Sequence, residues 1–393
     1  MEGYAEKEGR RLRRGYTTGT CAAAAACAAA RFLLSRGQCS PHEVPILTPG
    51  GIEARIPVEE LRREGSGIFC SVRKDSGDDP DVTDGALVCA LVRKLADRPG
   101  TVVVEGGTGI GRVTKPGLAC KVGEAAINPV PRRMIEEELH KAAEHFGYEG
   151  GLTAEISIPE GEALAEKTFN PKLGIIGGLS ILGTSGIVEP MSEQALIDTV
   201  KLEINMKKAA GAEYLVLTPG NYGETFLKER GLAEKLHYVK CSNFIGEALS
   251  CAAERGFKGV LLVGHIGKLV KVAAGMMNTH SKYGDGRMET LAEHAVLAGA
   301  SPETVRRLKA CVTTEDAISV IKGYSPQAEA AIWQSLLARI RENMERWTEY
   351  RLDAEAMLYS NQYGYLAEKT AGVERFLLRA CGEAPCKYKR RGR

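Results

Sequence analysis

The densest group of side chains able to do chemistry lies in GHIGKLVKVAAGMMNTHSKYGDGR, Gly264 to Arg287, with His265, Lys268, Asn278, His280, Ser281, Lys282, Asp285 and Arg287 around apolar Met276 and Met277. Two of the seven histidines of the chain fall here beside glycines and charges, the setting in which an imidazole serves as proton acceptor or polar contact. A histidine so placed serves structure as readily as catalysis. No H-E-x-x-H or comparable spacing points to zinc. A second group follows the apolar run Thr101 to Glu105: glycines 106, 107, 109 and 111, then Arg112 and Lys115, with Lys121, Arg132 and Arg133 downstream. Exposed amides beside several cations suit an anion, above all one with several carboxylates. A third is the loop holding Gly183, Thr184 and Gly186, in which glycines let backbone N–H groups approach an anionic ligand at a helix start. The same glycines also suit a tight turn of positive φ. Their spacing is not G-x-G-x-x-G, so the dinucleotide fingerprint is missing.

These groups need elements to position them. Leu173 to Ile176 reads as a short buried strand and Ser192 to Met206 as a helix, with Leu196, Val200 and Ile204 at helical spacing. Tyr214 to Leu217, His237 to Cys241 and Val260 to Val263 repeat the pattern. They end in Gly220, Asn221 and Gly223, in Ser242 and Asn243, and in His265 to Lys268, with helices expected over Glu224 to Arg230 and Ile245 to Arg255. Alternation at this spacing predicts a Rossmann-like, mostly parallel α/β domain over residues 169–300 whose four loops share one edge, the edge where open α/β sheets bind ligands.

Before it, residues 1–168 read as an α+β domain. Thr20 caps an alanine-rich helix from Cys21 that ends by Gly37, and the hydroxyl-rich loop Gly15 to Gly19 stands at its start. Val44 to Val72 alternates between turn residues as antiparallel strands do. Ala86 to Leu95 and Arg132 to His145 read as helices, and Thr153 to Pro159 as a strand. Five aspartates between Asp75 and Asp84 invite a divalent-ion reading, but the twelve-residue calcium loop is not matched, so a solvated capping turn is preferred. Residues 301–393 are helical by period, with Trp333, Leu336, Leu337 and Ile340 as a core stripe. Two short strands follow within Ala354 to Ala367, then the basic tail CKYKRRGR.

Composition bounds the function. The 393 residues are 44% hydrophobic and 26% charged, with a formal net charge of +2, which excludes a nucleic-acid protein resting on a global positive field. No 18-residue apolar run and no signal-like apolar start occur, which predicts a cytoplasmic protein without membrane spans. The eleven cysteines lack C-x-x-C pairs and read as reduced, buried small hydrophobes; no metal site of the protein's own is expected.

Five stretches, RRGYTTGTCAAAAA, GTGIGRVTKPGL, GGLSILGTSGIVEPMS, SNFIGEAL and LVGHIGKLVKVAAGMMNTHSKYGDGR, strongly resemble the CbiD family of cobalt-precorrin-5B C1-methyltransferases, and span residues 13 to about 300 in order. The C-terminal NQYGYLA resembles the family's end; the tail beyond it does not. The resemblance implies methyl transfer from S-adenosyl-L-methionine to C1 of cobalt-precorrin-5B, with cobalt entering only as part of the corrinoid substrate. On that footing Gly183, Thr184, Gly186, Gly220, Asn221, Gly223, Ser242 and Asn243 are expected at the adenosylmethionine, with Glu224 or Glu189 on its ribose. Arg112 and Lys115, then Lys268, Lys282 and Arg287, are expected on the acetate and propionate arms of the corrinoid, which faces the first domain. His265 and His280 are the candidate catalytic residues. A homo-oligomer is compatible with this reading. A nicotinamide-dependent reductase and a non-catalytic corrinoid carrier are the rival functions.

Overall fold

The computed structural model describes residues 3–7, 9–95, 97–360, 362 and 369–381. The chain forms two compact units, Met1–Glu193 and Gln194–Arg393.

The first unit is built on the helix α1, Thr18–Leu34, whose residues from Thr18 to Ala30 are all buried. The cap is Thr17, three residues before the expected Thr20, and its side chain accepts the amide of Thr20. The alanine run gives α1 almost no side-chain bulk, so the second helix α2, Pro129–His145, and a five-stranded sheet both approach it closely. That sheet comprises β1 (Glu60–Glu64), β2 (Gly67–Arg73), β3 (Leu87–Leu95), β4 (Val102–Gly106) and β5 (Gly151–Ser157) in the order β1-β2-β3-β5-β4. Only β4 and β5 run parallel. The antiparallel pair Glu43–Leu47 and Glu53–Pro57 stands as the alternation predicts.

β3 corrects the helix expected from Ala86 to Leu95. Val88, Ala90 and Val92 enter the core beneath α1, while Cys89 and Leu91 on the opposite face are buried as well. A strand covered on both faces loses its period of two and reads as a continuous apolar run. A second correction concerns Leu173 to Ile176. Only Ile175–Ile176 is extended, and it pairs antiparallel with Arg112–Val113 inside the first unit. Ile187–Val188 likewise pairs with Gly15–Tyr16. Residues 169–193, read with the α/β segment, therefore pack with the first unit.

The second unit carries a four-stranded, wholly parallel sheet: β6 (Tyr214–Thr218), β7 (Tyr238–Lys240), β8 (Gly259–His265) and β9 (Asp353–Tyr359), in the order β7-β6-β8-β9. Helices α3 (Glu193–Ala209), α4 (Asn221–Glu229), α5 (Ile245–Glu254) and α6 (Ile266–Ala273) alternate with the first strands; α7 (Arg287–Leu297), α8 (Thr314–Lys322), α9 (Pro326–Trp347) and α10 (Val373–Cys381) belong to the C-terminal half. β8 shows how the sheet is covered on both faces. Val260 and Leu262 join the core formed with α5, α6 and α9, whereas Leu261 and Val263 join Phe226, Leu227 and Phe376 from α4 and α10. Trp333, Leu336, Leu337 and Ile340 are buried in the first of these cores, as their stripe predicts. The sheet takes its fourth strand from β9 and none from residues 173–176. The second strand expected within Ala354 to Ala367 and the basic tail fall largely outside the described residues. No helix among the described residues is long and apolar enough to cross a membrane.

Candidate functional site

At the carboxyl edge of the parallel sheet, successive strands are carried to opposite sides at one point: β6 sits between β7 and β8, so the connections leaving β6 and β8 diverge there. The loop after β6 turns at Gly220, whose φ of +95° favours glycine, and α4 begins at Asn221 with no side-chain cap. The loop after β7 carries Ser242 at φ +52° and then Asn243. The loop after β8 is only a cap, because His265 ends the strand and α6 starts at Ile266.

Lys268, on the first turn of α6, joins the three loops. Its ammonium donates to Asn243 Oδ1 at 2.8 Å and reaches the Ser242 carbonyl at 3.5 Å, and a Cβ on Gly220 would stand 3.9 Å from it. Burial, reinforced by the charge of Lys271, lowers its pKa from the usual lysine value against the opposing influence of Cys241. Thr279 donates to the same Asn243 oxygen at 3.3 Å, and its amide bonds the Asn243 carbonyl, so the segment leading to His280 runs beside this loop. Gly220, Ser242, Asn243 and Lys268 are thus brought together. Asn221 accepts from Lys240 at 3.4 Å. Gly223 serves packing: a Cβ there would meet Thr218 Cβ at 2.7 Å.

The two histidines act as caps. His265 Nδ1 accepts the Gly267 amide at 3.1 Å, which places the proton of the neutral ring on Nε2, where Glu315 Oε1 lies at 3.1 Å. Ser360 donates to the other Glu315 oxygen at 2.6 Å. His280 Nδ1 accepts the Lys282 amide at 3.1 Å. In the neutral tautomer both rings therefore offer an N–H, and the lone pair a proton acceptor needs is committed to a backbone amide. This geometry suits a polar contact from His280 better than a base at either position. Near His265, the Tyr359 hydroxyl and, at the end of β6, the Thr218 hydroxyl are buried with no hydrogen-bond partner among the described residues. Burial pushes the Tyr359 pKa well up, so its phenol stays protonated.

Other expected contacts are already engaged. Arg287 forms a two-pronged pair with Asp285 at 2.5 and 2.7 Å, and Lys282 stands 4.9 Å from the Tyr283 ring. Glu224 accepts from Lys228 at 2.8 Å, Lys240 at 3.1 Å and Tyr238 at 3.2 Å, and the bonds from Lys228 and then Lys240 hold its pKa down to about 2. It braces α4 against β7 and has little left for a ribose. Glu189, in the first unit, pairs with Arg14.

Gly183, Thr184 and Gly186 lie in the first unit, over the start of α1. A Cβ on Gly183 would come within 2.3 Å of Thr17 Oγ1, and one on Gly186 within 2.7 Å of Thr48 Cβ; Thr20 donates to the Gly186 carbonyl at 2.7 Å. Close packing on threonines explains these glycines, while Thr184 is exposed. The glycines before Arg112 likewise face protein. Added Cβ atoms at Gly106, Gly107, Gly109 and Gly111 would all stand within 3 Å of neighbouring atoms. What remains open is a mixed surface: Arg112 and Lys115 are exposed, Arg112 donates to the Gly123 carbonyl at 3.2 Å, and its cross-strand partner Ile176 is 62% exposed. Lys115 lays its stem against Gly174.

The aspartate stretch is a closed network. Asp75 takes Arg13 in two bonds at 2.5 and 2.7 Å, Asp78 takes the Arg13 amide, Asp79 the Met191 amide, and Asp84 the Ser76 amide. Among the described residues no three His, Cys, Asp or Glu side chains gather as metal ligands, and the cysteines are free thiols. Lys271, Glu315, Ser360 and Ile176 escaped the sequence reading. Only Lys271 had a signal there, its position three residues after Lys268 on one helical face.

Fold and edge define an α/β protein with a polar, lysine-bearing edge where the connections of a parallel sheet diverge. Over residues 5–190 the chain matches the CbiD family, and over residues 278–370 the CbiD C-terminal domain. It is 45% identical over 98% of its length, and 99% of the relative's, to a cobalt-precorrin-5B C(1)-methyltransferase of Ruminiclostridium cellulolyticum. It is 44% identical over 93% of its length, and 95% of the relative's, to one of Alkaliphilus metalliredigens. A crystal structure of the cobalamin biosynthesis protein CbiD from Archaeoglobus fulgidus, 30% identical, covers 76% of this chain and 88% of its own, with a TM-score of 0.39 that is too low to carry an argument. The chain belongs to the CbiD family.

Proposed function

We propose that this chain methylates C1 of cobalt-precorrin-5B with S-adenosyl-L-methionine, giving cobalt-precorrin-6A in anaerobic, cytoplasmic cobalamin biosynthesis. The observation that carries this reading is kinship along almost the whole length with relatives named for that reaction. The strand order supports a Rossmann-like second unit, and the crevice at Gly220, Asn221, Ser242, Asn243 and Lys268 fits the donor, with a glycine turn, an uncapped helix start and a cation within reach of one another. When bound, S-adenosylmethionine supplies a methyl group already activated as a sulfonium. The chain's own task is then to hold and align the reactants and to exclude water, which alignment chemistry rewards strongly.

The corrinoid, a flat apolar ring with carboxylate arms, suits the surface where exposed Ile176 stands opposite exposed Arg112, with exposed Lys115 three residues further along the same segment. Cobalt arrives inside the substrate. A reductase is not favoured, because the glycine fingerprint for a nicotinamide cofactor is missing. A carrier would have no use for the donor crevice.

In a thermal-shift assay, S-adenosylmethionine or S-adenosylhomocysteine at about a hundredfold excess over its Kd should stabilise the protein by about 2.7 kcal/mol, a rise of several degrees, while NADH does little. A shift with NADH and none with either adenosyl compound overturns the proposal. Replacing Arg112 and Lys115 together by Ala should weaken corrinoid binding about tenfold and leave S-adenosylhomocysteine affinity unchanged by titration calorimetry. Equal losses for both ligands would remove the corrinoid from this surface.

A further inference from the structure

Lys268 and Lys271 lie three residues apart on α6, hence on one face. Lys271 is only 6% exposed, and its ammonium donates to the carbonyls of Gly284 at 2.9 Å and Thr279 at 3.4 Å. Lys268 donates to Asn243 Oδ1 and approaches the Ser242 carbonyl. All four acceptors are neutral. The carboxylate that feels Lys271 is Asp285, and its two oxygens are held by Arg287. Lys271 is buried and Lys268 half-buried, and among the described residues neither ammonium is hydrogen-bonded to a carboxylate, an arrangement that costs free energy unless an anion completes it. An ammonium has three protons, and Lys268 directs two of them into one good and one long bond. Beside it, the first amides of α4 have no side-chain cap, and the Gly220 turn leaves the approach clear.

We propose that Lys268, backed by Lys271, binds the α-carboxylate of S-adenosylmethionine next to the Gly220 turn. This rests on placing the methyl donor at this sheet edge. Here Lys268 acts on the donor, a change from its expected place on a corrinoid arm. The donor carries a single carboxylate, and the position between the diverging β6 and β8 connections favours it over an arm of the corrinoid, whose charges suit Arg112 and Lys115. The lowered pKa of Lys268 agrees with a cation awaiting its counter-charge. Lys271, nearly enclosed, holds the local potential positive without touching the ligand.

The test compares two nucleosides that share the adenosine and the thioether but differ in the carboxylate: S-adenosylhomocysteine has it and 5′-methylthioadenosine lacks it. By titration calorimetry, Lys268→Met should weaken S-adenosylhomocysteine about ten- to hundredfold and leave methylthioadenosine unchanged, and Lys268→Arg should recover part of the loss. Circular dichroism and the melting temperature establish that the variants are folded. An unchanged affinity for S-adenosylhomocysteine, or an equal loss for both nucleosides, overturns the assignment while leaving the donor at this edge. If Lys268→Met instead lowers only the affinity for a corrinoid polycarboxylate such as cobyrinic acid, the lysine belongs to the substrate. Failure of the wild-type protein to bind either nucleoside would sink the donor placement itself, and this inference with it.

Discussion

Gly109→Ala should strip the first unit of much of its stability. Gly109 sits at φ +72°, and a Cβ there would lie 1.8 Å from the Ile158 carbonyl oxygen and 3.0 Å from the Gly161 nitrogen. Three backbones cross at this point. Gly161 and Gly178 are glycines for the same reason, since a Cβ on either would stand 2.2 Å from the Gly109 carbonyl, which itself accepts the Leu179 amide at 2.9 Å. A clash with a flexible side chain can relax, but main chain held by its own hydrogen bonds cannot. Overpacking and left-handed strain together should cost about 3 to 5 kcal/mol, a large part of a domain's stability. Gly123→Ala is the control. It has φ +91° but open space beyond, so only strain of about 1 kcal/mol is expected. Urea unfolding of both variants decides: equal effects would mean that the crossing is less crowded than its geometry states.

The second large effect is expected from Lys74→Met. Lys74 is 2% exposed and donates to Asp81 at 2.8 Å and Ser76 at 2.5 Å. Asp81 is burdened first by burial, which raises its pKa, yet Lys74 and the bonds from Thr83 bring it below the usual carboxylate value. A carboxylate depressed in the folded state contributes stability above its unfolded pKa and loses that contribution as pH falls through the folded one. Methionine keeps the volume and removes the charge, leaving Asp81 without its counter-ion at a cost of about 3 kcal/mol at pH 7. The gap to the wild type should narrow on acidification below about pH 4, as Asp81 becomes neutral in both proteins. Adding Asp81→Asn should restore part of the stability, because the amide oxygen can still accept from Thr83. A penalty independent of pH and unrelieved in the double variant would show that packing, and not the ion pair, is what Lys74 contributes.

These two sites mark where sequence reasoning reached and where it stopped. The alanine helix, the antiparallel hairpins and strands β6, β7 and β8 with their helices were legible because each follows from a local period and a local stop. β3 was not, since burial on both faces erases the alternation that distinguishes a strand. The glycines at 183, 186 and 106–111 were legible as special backbone positions, but a sequence does not say what fills the space beside a missing side chain. Here Thr17, Thr48, Ile158 and Gly178 fill it. The loops after β6, β7 and β8 were read onto one edge, and the strand order brings them there. The pairing of the aspartates with Arg13 and Lys74, and the neutral hydrogen-bond acceptors of Lys268 and Lys271, depend on contacts that no spacing encodes.

β9 bears on how the chain reaches its fold during synthesis. The central strand β8 pairs with it residue for residue from Gly259↔Asp353 to His265↔Tyr359, with partners about ninety residues apart. While a ribosome makes those intervening residues, β8 has one neighbour in place and presents its other edge, an almost wholly apolar ribbon, with unpaired amides and carbonyls. Such an edge recruits any extended segment nearby, and late pairing of distant strands is slow. The second unit is thus exposed to wrong partnerships until Asp353 to Tyr359 has been made, and a nascent chain halted ahead of Asp353 presents that ribbon to its neighbours on the same message.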